Sequence, residues 1–132
     1  MNRREVFVLA LLLALSGCLF RGDAAARLGI DLVTVRLSAQ RHLVDVRYRI
    51  TDPEKAAALV ARDAKPQLLD EASGEPLAVP SYPKMGALRA KGHAEAGRSY
   101  FILFENRSGT VKSGSRVTLA LGDLKLAHLV VE

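Results

Sequence analysis

The segment from Val33 to Thr51 constrains this chain more than any other. Val33, Val35 and Leu37 alternate with Thr34, Arg36 and Ser38; Val44, Val46, Tyr48 and Ile50 alternate with Asp45, Arg47, Arg49 and Thr51. A period of two sends successive side chains to opposite faces of a strand. The pattern therefore predicts two half-buried strands, apolar toward a core and polar toward water. Folding them antiparallel about Gln40-Arg41 sets Val33 opposite Tyr48, Val35 opposite Val46 and Leu37 opposite Val44. On the polar face Thr34 meets Arg47, and Arg36 meets Asp45. A slip of one residue would oppose apolar to polar throughout, so the register is strongly specified.

The remaining chain continues in the same manner. Asp52-Pro53-Glu54 is a helix start: a capping carboxylate, a proline suited to the first helical position, and an acid that favours the helix dipole. The helix runs to about Arg62, with Ala56, Leu59 and Val60 as its apolar stripe. Gln67–Asp70 and Pro76–Val79 flank a polar turn containing Gly74 and read as a second hairpin. Ser99–Glu105 is apolar on both faces, which places it inside a sheet. Arg116–Leu121 alternates again, Gly122-Asp123 turns the chain, and Lys125–Val131 is the last strand. The expected fold class is mainly β: an immunoglobulin-like β-sandwich of about seven strands with one short helix. The chain has no tryptophan and a single cysteine, so it lacks the Cys–Trp–Cys signature of antibody domains.

The N-terminus has a different character. Arg3 and Arg4 precede an apolar run from Val6 to Leu15. That run is about half the roughly 20 residues a spanning helix needs, and reads as the core of a signal peptide. It ends in Leu15-Ser16-Gly17-Cys18, which resembles the lipobox of bacterial lipoproteins. The resemblance implies cleavage before Cys18, a diacylglyceryl thioether on its sulfur, and usually a third, amide-linked acyl chain. Cys18 is the only cysteine, so no intrachain disulfide is available, and lipidation would account for a lone thiol in an exported domain. Two or three acyl chains make a lasting anchor where one is marginal. Leu19, where an aspartate would retain such a protein in the inner membrane, implies the periplasmic side of the outer membrane in a two-membraned host. The expected organisation is a signal peptide over residues 1–17, a lipidated cysteine and tether over 18–29, and a β-sandwich domain over 30–132. Loss of Arg3, Arg4 and Glu5 with the signal leaves 17 basic and 13 acidic side chains, a net of +4. That is mild: it favours anionic lipid or glycan surfaces and is not a nucleic-acid-binding signature.

Three segments look like an uncharacterised group of small secreted bacterial proteins and lipoproteins: Val44–Lys55, Lys65–Ala72 and Ala96–Phe101. That resemblance implies export and a single β-rich domain, and brings no catalytic or binding residue with it.

No catalytic constellation stands out, and the chain is not expected to be an enzyme. Gly92–Ser99 mimics a phosphate-binding loop with Arg98 in the lysine position, but such a loop needs a helix after it, and a strand follows. No serine sits in a G-x-S-x-G elbow. His42, His93 and His128 lack chelating spacings; Met85, His93 and His128 form a copper-type carrier site only if the fold brings them together. The segment Pro80–Gly97 has no clear period and carries Tyr82, Lys84, Met85, Arg89, Lys91 and His93 against one acid, Glu95. Long connections of this kind are often functional. It is the candidate binding loop. Its expected partner is an envelope protein or an anionic glycan or lipid, with the membrane held through the anchor, no cofactor and no nucleic acid.

Overall fold

The computed structural model describes residues 24–132. The signal peptide, the lipobox and Cys18 lie outside the described residues.

The protein is mainly β. Among the described residues nine strands run in chain order: β1 (Ile30–Ser38), β2 (Leu43–Ile50), β3 (Gln67–Asp70), β4 (Pro76–Ala78), β5 (Ser81–Tyr82), β6 (Gly86–Ala87), β7 (Ser99–Glu105), β8 (Arg116–Leu121) and β9 (Leu124–Val130), with helix α1 (Pro53–Val60) between β2 and β3. They form a three-stranded sheet of order β1-β2-β7, a four-stranded sheet of order β4-β3-β8-β9, and the small hairpin β5-β6. All pairings are antiparallel. Both larger sheets contribute to one hydrophobic core, with Val44, Val46, Tyr48, Ile102 and Phe104 from the first and Leu68, Leu77, Val117, Leu119 and Leu126 from the second.

The β1–β2 register is as expected from Thr34 onward: Thr34 faces Arg47, Val35 faces Val46, Arg36 faces Asp45 and Leu37 faces Val44. Val33 is the exception. It does not face Tyr48; Leu32 does, and Val33 bulges out of the ladder at 52% exposure. The cause is a conflict of parity. Ile30 and Leu32 cannot share a face with Val35 in an unbroken strand, and one extra residue resolves the clash by ejecting Val33. Asp45 is buried on the outer face between two arginines, with Arg47 Nε at 3.2 Å and Arg36 Nε at 3.9 Å. The turn between these strands holds Ala39, Gln40 and Arg41 all at positive φ. Asn106, buried, ties the turn down: its Nδ2 donates to the carbonyls of Arg41 and Val111, and its own backbone amide donates to His42 O.

Three other expectations need correction. Residues 24–29 are not tether: 24–28 are helical, and Leu28 is buried in the core. The helix that follows β2 stops at Val60, two residues early, although Asp52 caps it as expected, accepting from the amides of Glu54 and Lys55. The Pro80–Gly97 segment is not without structure. It holds β5 and β6, and residues 88–90 then run antiparallel along β7: Ala90 N donates to Phe101 O, and Leu103 N donates to Leu88 O. β7 is thus bonded on both edges, on one of them by a partner without strand-like periodicity, while its Phe101 face stays partly exposed.

On the four-stranded sheet a bulge separates the pairs Val117–Leu129 and Leu119–Leu126, and His128 takes a positive φ. The Glu71 carboxylate fills the gap, accepting from His128 N at 2.7 Å, from the Thr118 hydroxyl at 2.9 Å, and pairing with His128 Nδ1 at 3.1 Å. Partial burial pushes the Glu71 pKa up, but the His128 and Thr118 hydrogen bonds outweigh it, and the net shift is downward. A carboxyl depressed in the folded state stabilises it above its unfolded pKa and loses that effect as the pH falls through the folded value. The stability gap between wild type and Glu71→Gln, measured by urea unfolding, is therefore expected to shrink as the solution is acidified below about pH 5. A gap that widened on acidification would contradict the assignment.

Candidate interaction surface

The 80–98 excursion is built around one buried cation. Arg89 sits opposite Ile102 on the β7 edge, and this alternation turns its side chain inward. It is 4% exposed. Its guanidinium closes the C-terminal end of α1: Nη1 donates to Leu59 O at 3.2 Å, and Nη2 lies 2.6 Å from Ala61 O, 3.2 Å from Arg62 O and 3.0 Å from Ala64 O. A helix end leaves carbonyls without intrahelical partners, and a cation favours that end of the dipole. Burial lowers the Arg89 pKa, while Tyr48 and Asp63 raise it. Arg89 therefore leaves the proposed contact surface: it is the fastening of the loop.

A pair of tyrosines fastens the other half. Tyr48 and Tyr100 stack at 5.8 Å between ring centroids, 16° from parallel. The Tyr100 hydroxyl donates to His93 O at 2.8 Å and accepts from Glu95 N at 3.1 Å. The Tyr48 hydroxyl is buried and has no hydrogen-bond partner among the described residues, and burial shifts its pKa upward despite the opposing charge of Arg89. Desolvating a hydroxyl with no hydrogen bond is unfavourable by about 1–3 kcal/mol. Tyr48→Phe is accordingly expected to leave stability unchanged or raise it by about 1 kcal/mol in urea unfolding, whereas Tyr100→Phe lowers it. A loss at Tyr48→Phe equal to that at Tyr100→Phe would reveal a partner for the hydroxyl.

With the loop held at both ends, the candidate residues separate. Tyr82, Lys84 and Met85 lie on or beside the tip of the β5–β6 hairpin, with Tyr82 46% and Met85 66% exposed. Lys91 and His93 follow on the far side of Arg89, both exposed. Lys91 Nζ reaches back to Ala87 O at 3.0 Å and stands between two open grooves. One, of about 400 Å³, is lined by Lys91, His93, Glu95, Arg98, Tyr100 and Phe101, among others; there Arg98 is paired with Glu95 at 3.1 Å. The other, of about 490 Å³, is lined by Arg62, Ser81, Gly86, Ala87 and Lys91. Arg62, Ser81 and Gly86 carried no signal in the sequence. Their importance depends on the hairpin folding back over the end of α1, a contact between segments with no common motif.

The three members of the copper-type set lie on separate elements. Met85 is on the hairpin tip, His93 lies beside the start of β7, and His128 is on β9 in the other sheet, engaged by Glu71. Among the described residues no three His, Cys, Asp or Glu side chains are grouped closely enough to hold a metal ion. The Gly92–Ser99 segment leads into strand β7, not a helix.

No family model, no curated protein and no solved structure matches this chain.

Proposed function

We propose that this protein is a lipid-anchored, non-enzymatic component of a bacterial cell envelope. In this reading its two larger sheets form an immunoglobulin-like sandwich, and the 80–98 edge binds another envelope component. The observation that carries the reading is the hairpin tip. Tyr82, Lys84 and Met85 stand in water on a loop whose base is fixed by Arg89 and by the β7 edge. Aromatic and methionine side chains are enriched in binding surfaces, and a held loop loses less entropy on binding than a floppy one. The lipobox resemblance supplies the anchor. Since residues 24–29 fold with the domain, the spacer after Cys18 is at most five residues, a reach of no more than about 20 Å. The contact surface would then work close to the bilayer, on the periplasmic side of the outer membrane where the host has two.

Two experiments test the two halves of this reading. Cys18→Ala is expected to move the protein out of the membrane fraction and abolish labelling by a fatty-acid analogue; unchanged labelling overturns the anchor. A photo-crosslinking residue at Tyr82 or Lys84 is expected to capture a discrete envelope component in cells, while one at Asp123, on the β8–β9 turn, captures none. Equal capture from both positions overturns the contact surface.

A further inference from the structure

The groove beneath the β5–β6 hairpin has an asymmetry of charge that the other groove lacks. Its walls carry Arg62, just past the end of α1, and Lys91, on the chain leaving the β7 edge; its lining includes no carboxylate. The Lys91 ammonium is held in place by Ala87 O at 3.0 Å and lies over Gly86, where even a Cβ would come to 3.1 Å of it. Ser81 adds a hydroxyl to the lining. Behind Arg62 lies a third cation. Arg89 bonds the Arg62 carbonyl directly, is buried, and among the described residues has only carbonyl oxygens as hydrogen-bond partners. The dipole of α1 offsets part of that charge. Asp63 is the acid that acts on Arg89 through space, and it is not on the groove wall.

We infer that the groove lined by Arg62, Ser81 and Lys91 binds a phosphate group. A phosphate presents several acceptor oxygens in a tetrahedron and more than one negative charge as a monoester. An arginine fork, an ammonium and a hydroxyl arriving from separate elements suit it, whereas a carboxylate offers two coplanar oxygens. The volume, about 490 Å³, falls in the range that accommodates small ligands and leaves room for the group attached to the phosphate. Buried Arg89 strengthens the site without touching the ligand, because water screens its charge poorly. The inference deepens the reading of the 80–98 edge as a contact surface and rests on it. The same chemistry fits a phospholipid headgroup and a soluble phosphate.

The test uses the full chain in a neutral detergent, with the amide resonances of Gly86 and Ala87 as reporters. The probes are inorganic phosphate, glycerol 3-phosphate, and acetate as the carboxylate control; phosphatidylglycerol or phosphatidylcholine doped into the micelles probes the lipid source. Phosphate-bearing probes are expected to shift both resonances saturably and acetate at least tenfold more weakly. Arg62→Gln and Lys91→Gln are each expected to weaken binding about fivefold, Lys91→Arg to preserve it, and all three to unfold at the wild-type temperature, since both side chains are exposed. Saturation by glycerol 3-phosphate alone identifies a soluble ligand; saturation by phosphatidylglycerol alone identifies a headgroup; either sustains the site. No saturable shift with any phosphate probe, or equal affinity in the Arg62→Gln/Lys91→Gln double variant, overturns it. Crosslinking from Tyr82 that survives such a result leaves the contact surface standing without the phosphate site. Loss of both signals removes the two together.

Discussion

Gly29→Ala is expected to destabilise the domain by about 4 kcal/mol, and to lower its unfolding temperature by about 20 °C. Gly29 ends the helical residues 24–28 and turns the chain into β1 at a φ of +67°, a region L side chains rarely adopt. Its carbonyl accepts from the amides of Thr51 and Asp52, so the turn is locked against the start of α1. A Cβ there would lie 2.5 Å from Asp52 O and 2.9 Å from Ala56 N. Both are backbone atoms of a capped helix, and neither can rotate away. The backbone of residues 52–56 or of 28–30 would have to move, and Leu28 and Ile30 are in the core. Gly74→Ala is the comparison. Gly74 has a φ of +75° but nothing within 4 Å of its Cβ position, so it isolates the conformational term, about 1 kcal/mol. Urea unfolding of the two variants separates strain from close approach. Equal losses would mean that Gly29 is needed only for its dihedral angle.

The second large effect is expected at Arg89. Arg89→Lys and Arg89→Met should each destabilise by about 3–5 kcal/mol, and Lys84→Met by less than about 0.5 kcal/mol. One guanidinium serves four carbonyls near the end of α1 and in the turn after it. A lysine keeps the charge, but its three donors diverge from one nitrogen and cannot span the planar arrangement. A methionine keeps much of the stem and removes the donors to all four carbonyls, of which Ala61 O keeps the Ala64 amide. The damage should be local at first: amide exchange at Ala61 and at Gly92, which donates to Val60 O, accelerates ahead of exchange in β2. An Arg89→Lys variant within 1 kcal/mol of wild type would show that water caps this helix adequately. The result also bears on function, because charge reversal at Arg89 would unfold the loop and imitate a loss of binding. Lys84, Lys91 and Arg62 are the positions at which charge can be changed without that confusion.

What could be read in the sequence was what depends on near neighbours in the chain. The β1–β2 register from Thr34 to Leu37 follows from alternation, because a one-residue slip would expose the core face. The cap at Asp52, the proline after it and the buried Ala56, Leu59 and Val60 follow from the geometry of a single helix. The β3–β4 and β8–β9 hairpins follow from their turn residues. Each is decided by forces acting within about twenty residues.

The features that were missed are contacts between segments far apart in the chain. Val33 is the local exception: its alternation with Val35 reads as core, but Ile30 and Leu32 stand in the opposite parity and the bulge that reconciles them ejects Val33. Residues 24–28 looked like tether until the close approach of Gly29 to Asp52 placed them against the domain. Arg89 looked like one more cation in a basic loop. Residues 88–90 pair with β7, and that pairing turns Arg89 toward carbonyls about thirty residues away. The sequence by itself determined the seven longer strands, where α1 starts and that the 80–97 segment is unusually basic, but not β5 and β6. Only the tertiary structure decided which of those cations is buried and which shares a groove with Arg62. Periodicity reports the two faces of an element, and burial of a charge depends on what distant element supplies its partners.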